Sequence, residues 1–189
     1  MQHTIFNKPI DYSSDKSSAS IILGAGCFWG VERKFWSLRG VQMTSVGYAG
    51  GHAVDPTYES VCSGSTGHTE VVKIQFDSSI LSLKELLKIF WECHDPTQGN
   101  RQGNDIGTQY RSVIFHLNET QKGTAQRVKE DFQQYYDDEI VTEISELSNY
   151  HEAEKYHHNY FQLNPGSGYC QMIVAPKLSK IRSKMSHLY

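Results

Sequence analysis

Residues 18–33 read SASIILGAGCFWGVER, a stretch that combines the start of a sheet with the most chemically suggestive residue of the chain. The apolar run from Ile21 to Leu23 predicts a buried strand, and the glycines that follow predict a sharp turn. Apolar residues then recur at helical spacing from Phe28 onward, which places Cys27 at or near the first turn of a helix. Free backbone N–H groups and the positive end of the helix dipole lie there. Both favour the thiolate, which is the nucleophilic form of cysteine.

Several interpretations of Cys27 are open at this point. Most intracellular cysteines are small apolar core residues, and a non-enzymatic binding module with a structural Cys27 is one alternative. The turn glycines, the helix start and the two large aromatic residues directly after the thiol favour a reactive cysteine instead. A cysteine hydrolase or acyltransferase, in which Cys27 is paired with His157 or His68, is a further alternative.

The composition indicates one globular domain with no strongly charged face. Of the 189 residues 38% are apolar, and 18 basic and 21 acidic residues give a net charge of −3. These values give no reason to expect nucleic acid or a membrane surface as a partner, and no apolar run is long enough to span a bilayer. We expect residues 1–18 to form a loosely ordered N-terminal arm and residues 19–189 to form a single catalytic domain.

The cysteines and histidines give no sign of a structural framework or of a metal centre. The first twenty residues are polar and do not form a secretory signal. The four cysteines are scattered without a CxxC pair, which favours a reducing cytoplasm. The run at 151–155 begins like HExxH but ends in Lys155, so the second ligand is missing. We therefore expect no metal and no bound cofactor.

The apolar pattern predicts an α+β fold, a two-layer α/β sandwich in which helices pack on a mixed sheet. Ser82 and Glu85 have the spacing of a capping box at the start of one helix. Two long loops, 50–67 and 94–109, are expected to converge on Cys27, because loops of this length in a compact domain are more often functional than idle. The predicted strands are 19–24, 41–48, 68–77, 110–117, 140–146 and 169–175, and the predicted helices are 27–38, 82–91, 118–136 and 152–161.

Three further residues could assist a reactive thiolate. Glu70 begins a predicted apolar strand; packed among aromatic side chains, its protonated form would be favoured and could donate a proton. It could equally be an outward-facing strand residue. Tyr58 lies in the first long loop and Tyr110 ends the second. Each could offer its O–H group to a polar S–O bond, or could simply pin its loop to the body of the domain.

The pentapeptide GCFWG at 26–30 resembles the signature of the A-type peptide methionine sulfoxide reductases. Further stretches resemble blocks of that family and follow its order over residues 20–176. They are VGYAGG at 46–51, PTY at 56–58, VCSG at 61–64, GHTE at 67–70, HDP at 94–96, QGND at 102–105, GTQYRS at 107–112 and AEKYH at 153–157.

The resemblance implies an enzyme that reduces the S epimer of methionine sulfoxide, free or within oxidised proteins, and that thioredoxin or another thiol regenerates. It also implies a fold related to the ferredoxin-like plait, and we expect a monomer. Cys27 would attack the sulfoxide sulfur, Glu70 would protonate the oxygen, and Tyr58 and Tyr110 would hydrogen-bond it. This set suits the chemistry, because a sulfoxide sulfur is a poor electrophile until its oxygen is protonated.

The resemblance also implies residues that hold the substrate. Phe28 and Trp29 would form an apolar pocket for the methyl group, and Asp105 and His157 would contact the substrate backbone. Attack would leave Cys27 as a sulfenic acid, which condenses readily with another thiol.

The chain departs from the family pattern after its last cysteine. Cys170 matches the position of one resolving cysteine of the family, so it is a candidate for the second thiol. The residues after it, QMIVAPK at 171–177, predict a buried strand and not a glycine-rich tail. Cys170 could therefore be too fixed to reach Cys27, since a disulfide needs Cα atoms within about 7 Å of each other. An external thiol or Cys62 would otherwise complete the cycle.

Overall fold

The computed structural model describes residues 3, 5–8, 18–168, 171–172, 175–184 and 186–188. Within these ranges the strands are β1 (Ser18–Ala25), β2 (Val41–Ala49), β3 (Thr69–Asp77), β4 (Arg101–Gln102), β5 (Asp105–Ile106), β6 (Ser112–His116), β7 (Glu143–Glu146) and β8 (Tyr150–Glu152). The helices are α1 (Phe28–Phe35), α2 (Tyr58–Cys62), α3 (Leu83–Glu92), α4 (Glu119–Gln133), α5 (Tyr160–Leu163) and α6 (Ala175–Lys184). Short 3₁₀ turns occupy Thr108–Tyr110, Lys155–His157 and Ser186–Leu188.

Six of the strands form one sheet in the order β7-β6-β1-β3-β2-β8, and β4 and β5 form a separate two-stranded hairpin. Every neighbouring pair in the large sheet is antiparallel except β6 and β7, which are parallel. The sheet is therefore mixed, and the prediction of a mixed sheet with flanking helices is confirmed.

The alternation of side chains along β1 explains how the sheet separates two apolar clusters. Ile21 and Leu23 are fully buried in the larger cluster, whereas Ile22 between them belongs to the smaller one. Because successive strand residues point to opposite faces, the two clusters lie on the two sides of the sheet. The larger cluster also contains apolar residues of α1, α3 and α4, so these helices cover one face.

The capping box predicted for the second helix is present at the start of α3. The Ser82 side chain accepts the backbone N–H of Glu85, and the Glu85 carboxylate accepts the backbone N–H of Ser82. The reciprocal pair satisfies two N–H groups that the first turn of a helix leaves without partners. It fixes the start of a helix whose buried face packs under the sheet.

Two predicted elements are wrong. Residues 152–161 form the end of β8, a 3₁₀ turn and the start of α5 instead of one helix. Tyr150–Glu152 pairs with Gly47–Ala49, and this long-range ladder overrides the local helical pattern. Residues 169–175 do not form the predicted strand where they are described, since Gln171 and Met172 are helical and Ala175 begins α6. Within the described part of the chain, no helix is both long and apolar enough to cross a lipid bilayer.

Candidate active site

Cys27 lies immediately before α1, where the sequence predicted it. Gly26 has a φ of +90°, and a Cβ at this position would lie 2.8 Å from the Gln102 side chain, so only glycine fits this turn. The Cys27 carbonyl accepts the backbone N–H groups of Gly30 and Val31, which makes Cys27 the N-cap of the helix. Its side chain is half-buried. The thiol is therefore held at the helix N-terminus with part of its surface open to solvent.

Glu70 is held against the residue that follows the thiol. Its carboxylate accepts the backbone N–H of Phe28 at 3.0 Å, and the side chain is 1% exposed. Burial raises the pKa of Glu70 to about 8, while the Phe28 N–H opposes the increase and the nearby charge of Asp105 adds to it. A carboxyl group beside Cys27 is thus protonated at neutral pH, and the interpretation of Glu70 as an outward-facing residue is wrong.

Tyr58 and Tyr110 reach the same neighbourhood from the two long loops. Both are half-buried. Burial and the charge of Glu70 raise the pKa of Tyr110, and the charges of Cys27 and Cys62 raise it further. Burial also raises the pKa of Tyr58, as do Cys62 and Glu70. Both phenols therefore remain protonated and can donate hydrogen bonds.

Aromatic rings line the site on the side of α1. The Trp29 indole stacks on the Tyr160 ring at 3.8 Å between centroids and donates its N–H to His157 Nδ1 at 3.1 Å. The His157 ring also packs against the rings of Phe28 and Tyr58, with centroid separations of 5.1 Å and 4.5 Å. Trp29 is half-buried and forms an aromatic wall with His157 and Tyr160, whereas Phe28 is fully buried and packs against Trp29 and His157.

Glu154 connects Tyr58 and His157 of the site with Tyr48 of β2, and the sequence did not single it out. Its carboxylate accepts the backbone N–H of Tyr58 at 2.8 Å and the Tyr48 hydroxyl at 2.7 Å, and it lies 3.7 Å from His157 Nε2. Burial alone would raise the pKa of Glu154, but these hydrogen bonds hold it below its usual value. The one available signal was its place in the AEKYH stretch, three residues before His157.

Asp105 and Gln102 bring the second long loop to the site. Asp105 lies in β5, is half-buried, and is close enough to raise the pKa of both Glu70 and Tyr110. Gln102 is buried against Gly26, and its amide bonds the backbone of Asp95 in both directions, accepting at 3.2 Å and donating at 2.9 Å. The loop is thus folded onto the turn that carries Cys27.

The other cysteines have separate environments. Cys62 ends α2, is exposed, and is hydrogen-bonded to the Tyr58 phenol, one helical turn away. Burial raises the pKa of the Cys62 thiol, although the bond from Tyr58 opposes the increase. Cys93 is 3% exposed, in the core behind α3. The candidate resolving residue Cys170 lies outside the described residues.

Neither histidine of the hydrolase alternative is hydrogen-bonded to Cys27. His157 Nδ1 accepts the Trp29 indole N–H, and His157 Nε2 finds no hydrogen-bond partner among the described residues. Both ring nitrogens of His68 are buried and likewise lack a hydrogen-bond partner within the ranges that the structure covers. The thiol is accompanied by a protonated acid and two phenols, which is not the arrangement of a cysteine–histidine pair.

A family model described as peptide methionine sulfoxide reductase matches residues 19–188. The chain belongs to the peptide methionine sulfoxide reductase family. It is 53% identical over 163 residues to a peptide methionine sulfoxide reductase of a Nitratiruptor species, covering 86% of this chain and 94% of the relative.

Solved structures of the family share the fold. The reduced form of Mxr1 from Saccharomyces cerevisiae has a TM-score of 0.79 and 34% identity, covering 84% of this chain and 92% of Mxr1. Mxr1 has also been solved in complex with Trx2, and that structure matches with a TM-score of 0.58 and 22% identity, covering 79% and 90% of the two chains. The chain is accordingly a thiol-dependent enzyme that reduces methionine sulfoxide.

Proposed function

We propose that Cys27 carries out this reduction as the nucleophile, with Glu70 as the acid and Tyr58 and Tyr110 as hydrogen-bond donors to the sulfoxide oxygen. The observation that carries the assignment is the 3.0 Å bond from the Phe28 N–H to the Glu70 carboxyl, together with a pKa of about 8 for that group. This observation supports Glu70 as a proton donor near the thiol at neutral pH. The reduction of a sulfoxide needs both a nucleophile and a proton donor, because the sulfoxide sulfur accepts a nucleophile only when its oxygen is protonated.

The proposed first step transfers oxygen from the substrate to the enzyme. The Cys27 thiolate attacks the sulfoxide sulfur while Glu70 gives its proton to the oxygen, so that an S–S bond to the substrate forms. The hydroxyl group then passes from the substrate sulfur to the Cys27 sulfur, and the S–O bond of the substrate and the new S–S bond both break. The products are methionine, the Cys27 sulfenic acid and ionised Glu70. The two phenols stabilise the oxygen as its charge develops, since their raised pKa values keep their hydrogens in place.

We propose that the aromatic rings of the site select the side chain of the substrate. Phe28 and Trp29 would receive the methyl group, because their neighbouring rings are apolar. His157 and Asp105 would contact the substrate backbone. The buried Nε2 of His157, without a hydrogen-bond partner among the described residues, supports that role.

The second half of the cycle restores the thiol. The sulfenic acid condenses with a second thiol to a disulfide and water, and a dithiol reductant then reduces the disulfide. We propose a thioredoxin as that reductant, which the complex of the relative Mxr1 with Trx2 supports. Cys170 is proposed as the second thiol and Cys62 as its alternative. We further propose the S epimer as substrate, no bound cofactor, a monomer and a reducing cytoplasm.

A finer description of the fold is also a proposal. We infer that β1, α1, β2, β3, α3 and β6 form a ferredoxin-like core. The order β6-β1-β3-β2 with antiparallel neighbours supports it, because a strand-helix-strand unit repeated in this way interleaves its strands.

The test of the nucleophile is a single turnover without reductant. We expect the unchanged protein to release one methionine per chain from an excess of a methionine sulfoxide peptide, and the Cys27→Ser variant to release none. The Cys93→Ser variant is the matched control, because its thiol is buried away from the site. A full yield of methionine from Cys27→Ser would refute the mechanism.

A further inference from the structure

The N-terminal arm, residues 1–18, contributes a side chain to the interior. His3 is 0% exposed, although it stands sixteen residues before the segment that matches the family model at 19–188. Burial of a polar ring costs free energy unless the ring is hydrogen-bonded, so the hydrogen-bond partners of His3 account for its buried position. The partners are Glu32, Thr44 and Asn159, and we refer to these four residues as the His3 cluster.

The His3 cluster is a chain of hydrogen bonds that ends on a buried carboxylate. His3 Nδ1 accepts the backbone N–H of Ile5 at 3.1 Å, and His3 Nε2 lies 2.9 Å from Thr44 Oγ1. The Thr44 hydroxyl in turn donates to Glu32 Oε1 at 3.2 Å. His3 Nε2 itself lies 3.8 Å from the same carboxylate oxygen, and both side chains are completely buried.

Asn159 completes the cluster from the far end of the chain. Its backbone N–H donates to Glu32 Oε2 at 2.9 Å, its side-chain amide donates to Glu32 Oε1 at 3.3 Å, and that amide lies 2.8 Å from His3 Nε2. Asn159 has a left-handed backbone, with φ of 54°. An asparagine adopts this conformation at some cost, so the contacts of the cluster hold the turn in place.

The two segments that meet in the cluster are also the two that form the aromatic wall. Glu32 lies on α1 three residues after Trp29, so both are on the same side of the helix. Asn159 stands between His157 and Tyr160. Trp29 contacts both of these residues, by its indole N–H and by ring stacking. Two sets of contacts therefore hold α1 to the segment from His157 to Tyr160. Trp29 makes one set at the surface of the wall, and the His3 cluster makes the other beneath it.

We propose that His3 is a positioning residue for methionine sulfoxide binding, acting through Thr44, Glu32 and Asn159 on the wall formed by Trp29, His157 and Tyr160. The inference rests on the proposed function of that wall. Without the imidazole, Thr44 and Asn159 each lose a hydrogen-bond partner, and a ring-sized space opens beside a buried carboxylate. The left-handed turn then loses a neighbour, and the His157–Tyr160 segment loosens from α1. The Phe28–Glu70 contact involves no residue of the His3 cluster, so we expect the chemical step to be spared.

Steady-state kinetics on the full chain test the proposal, with a methionine sulfoxide peptide as substrate and dithiothreitol as reductant. We expect His3→Ala to raise KM roughly two- to tenfold, the range for one lost hydrogen bond, with kcat nearly unchanged. Added imidazole should bring KM back, because it refills the vacated space. Ile5→Ala is the matched control on the arm, since its side chain is exposed and its contact to His3 is made by the backbone.

A second measurement distinguishes positioning from a general loss of stability. In the NMR spectrum the indole N–H of Trp29, assigned with Trp29→Phe, should shift in His3→Ala and return with imidazole. His3→Gln retains an N–H group that can reach Thr44 and serves if His3→Ala does not fold; its KM and indole signal should stay close to those of the unchanged protein.

Unchanged KM and an unchanged indole signal in His3→Ala would overturn the proposal, as would changes that imidazole does not reverse. Failure of the proposed role of the wall looks different, because truncation of the wall itself, as in Trp29→Ala, would then leave KM unchanged. The imidazole response of the Trp29 signal still reports on the cluster in that case.

Discussion

At the scale of single residues, the protonation of Glu70 is the property on which the chemistry depends most. The carboxyl is 1% exposed and has one backbone donor, the N–H of Phe28. Burial outweighs that donor and raises the pKa to about 8. The single backbone bond is too weak to stabilise the charged form, but it fixes the position of the acid relative to the residue after Cys27. Glu70, the proposed proton donor on β3, and Cys27, the proposed nucleophile, thus meet at the first turn of α1.

The rate of methionine release should follow the protonated fraction of Glu70. We expect the single-turnover rate to fall as pH rises through about 8, because the acid is lost as it ionises. Glu70→Gln should lower the rate by about 100-fold or more at neutral pH and should lack this decline. Glu130→Gln, an exposed residue of α4, is the control. A decline of the same shape in Glu70→Gln would exclude Glu70 as its source.

The same group predicts a pH dependence of stability. The pKa of Glu70 is about 8 in the folded chain and near 4.5 when unfolded, so between these values the folded state holds a proton that the unfolded state releases. The free energy of unfolding should therefore fall as pH rises across this window and level off above it. Urea denaturation at several pH values should show a shallower fall for Glu70→Gln. Parallel curves for the two proteins would contradict the assigned pKa.

Residue-level prediction from sequence succeeded where the signal was local. The turn glycines and the helical spacing located Cys27, and Glu70 was singled out by its place at the start of an apolar strand. Glu154 was missed, because its bonds to Tyr58 and Tyr48 join positions 96 and 106 residues apart. No local pattern carries contacts of that range, so the hydrogen bonds of Glu154 become visible only in the fold.

At the scale of elements, the close approach of β2 and β8 shapes the strand that carries Tyr48. Gly47 pairs with Glu152, and a Cβ at Gly47 would overlap the backbone carbonyl oxygen of His151. Backbone cannot move aside as a flexible side chain can, so the spacing of the two strands depends on the absence of a side chain here. The ladder was not predicted, because 152–161 has a helical apolar pattern and β8 is only three residues long.

Two Gly→Ala substitutions should have opposite effects. Gly47→Ala should lower the free energy of unfolding by about 1–3 kcal/mol, since the methyl group forces β8 away from β2. Gly123→Ala should raise it by about 1 kcal/mol, because Gly123 lies inside α4 with nothing within 4 Å of the added methyl, and alanine favours the helix. Chemical denaturation of both variants measures the difference. Equal effects of the two would contradict the close packing of β8 on β2.

At the scale of the whole molecule, the distribution of thiols sets the route of regeneration. Cys27 and Cys62 are both close enough to Tyr110 to raise its pKa, and Cys93 lies in the core. The order of the longer strands and helices up to β6 followed the sequence prediction, because strong apolar periods mark them. The short elements α2, β4 and β5 were missed, since they lie inside the two predicted loops. The last part of the chain was wrongly predicted as a strand at 169–175, because a short apolar run does not by its period distinguish a strand from a helix.

Thioredoxin turnover should identify the second thiol. We expect Cys170→Ser to retain activity with dithiothreitol but to lose turnover with thioredoxin, because a small dithiol can reduce the Cys27 sulfenic acid directly. Mass spectrometry of the unchanged protein after one turnover without reductant should show a disulfide between Cys27 and Cys170. Cys62→Ser is the matched variant. Equal thioredoxin turnover by Cys170→Ser would remove Cys170 from the cycle, and a disulfide between Cys27 and Cys62 would assign the role to Cys62.

Because Cys93 is buried, its reactivity can report how often the core of the folded protein opens. A thiol that is 3% exposed reacts with an alkylating reagent only when local unfolding opens the core. The rate at which iodoacetamide labels Cys93 in the native state therefore measures how often the core opens. Turnover is measured on an untreated sample, because the reagent also alkylates Cys27. The two parallel measurements rank each variant for opening of the core and for chemistry, and the two need not change together.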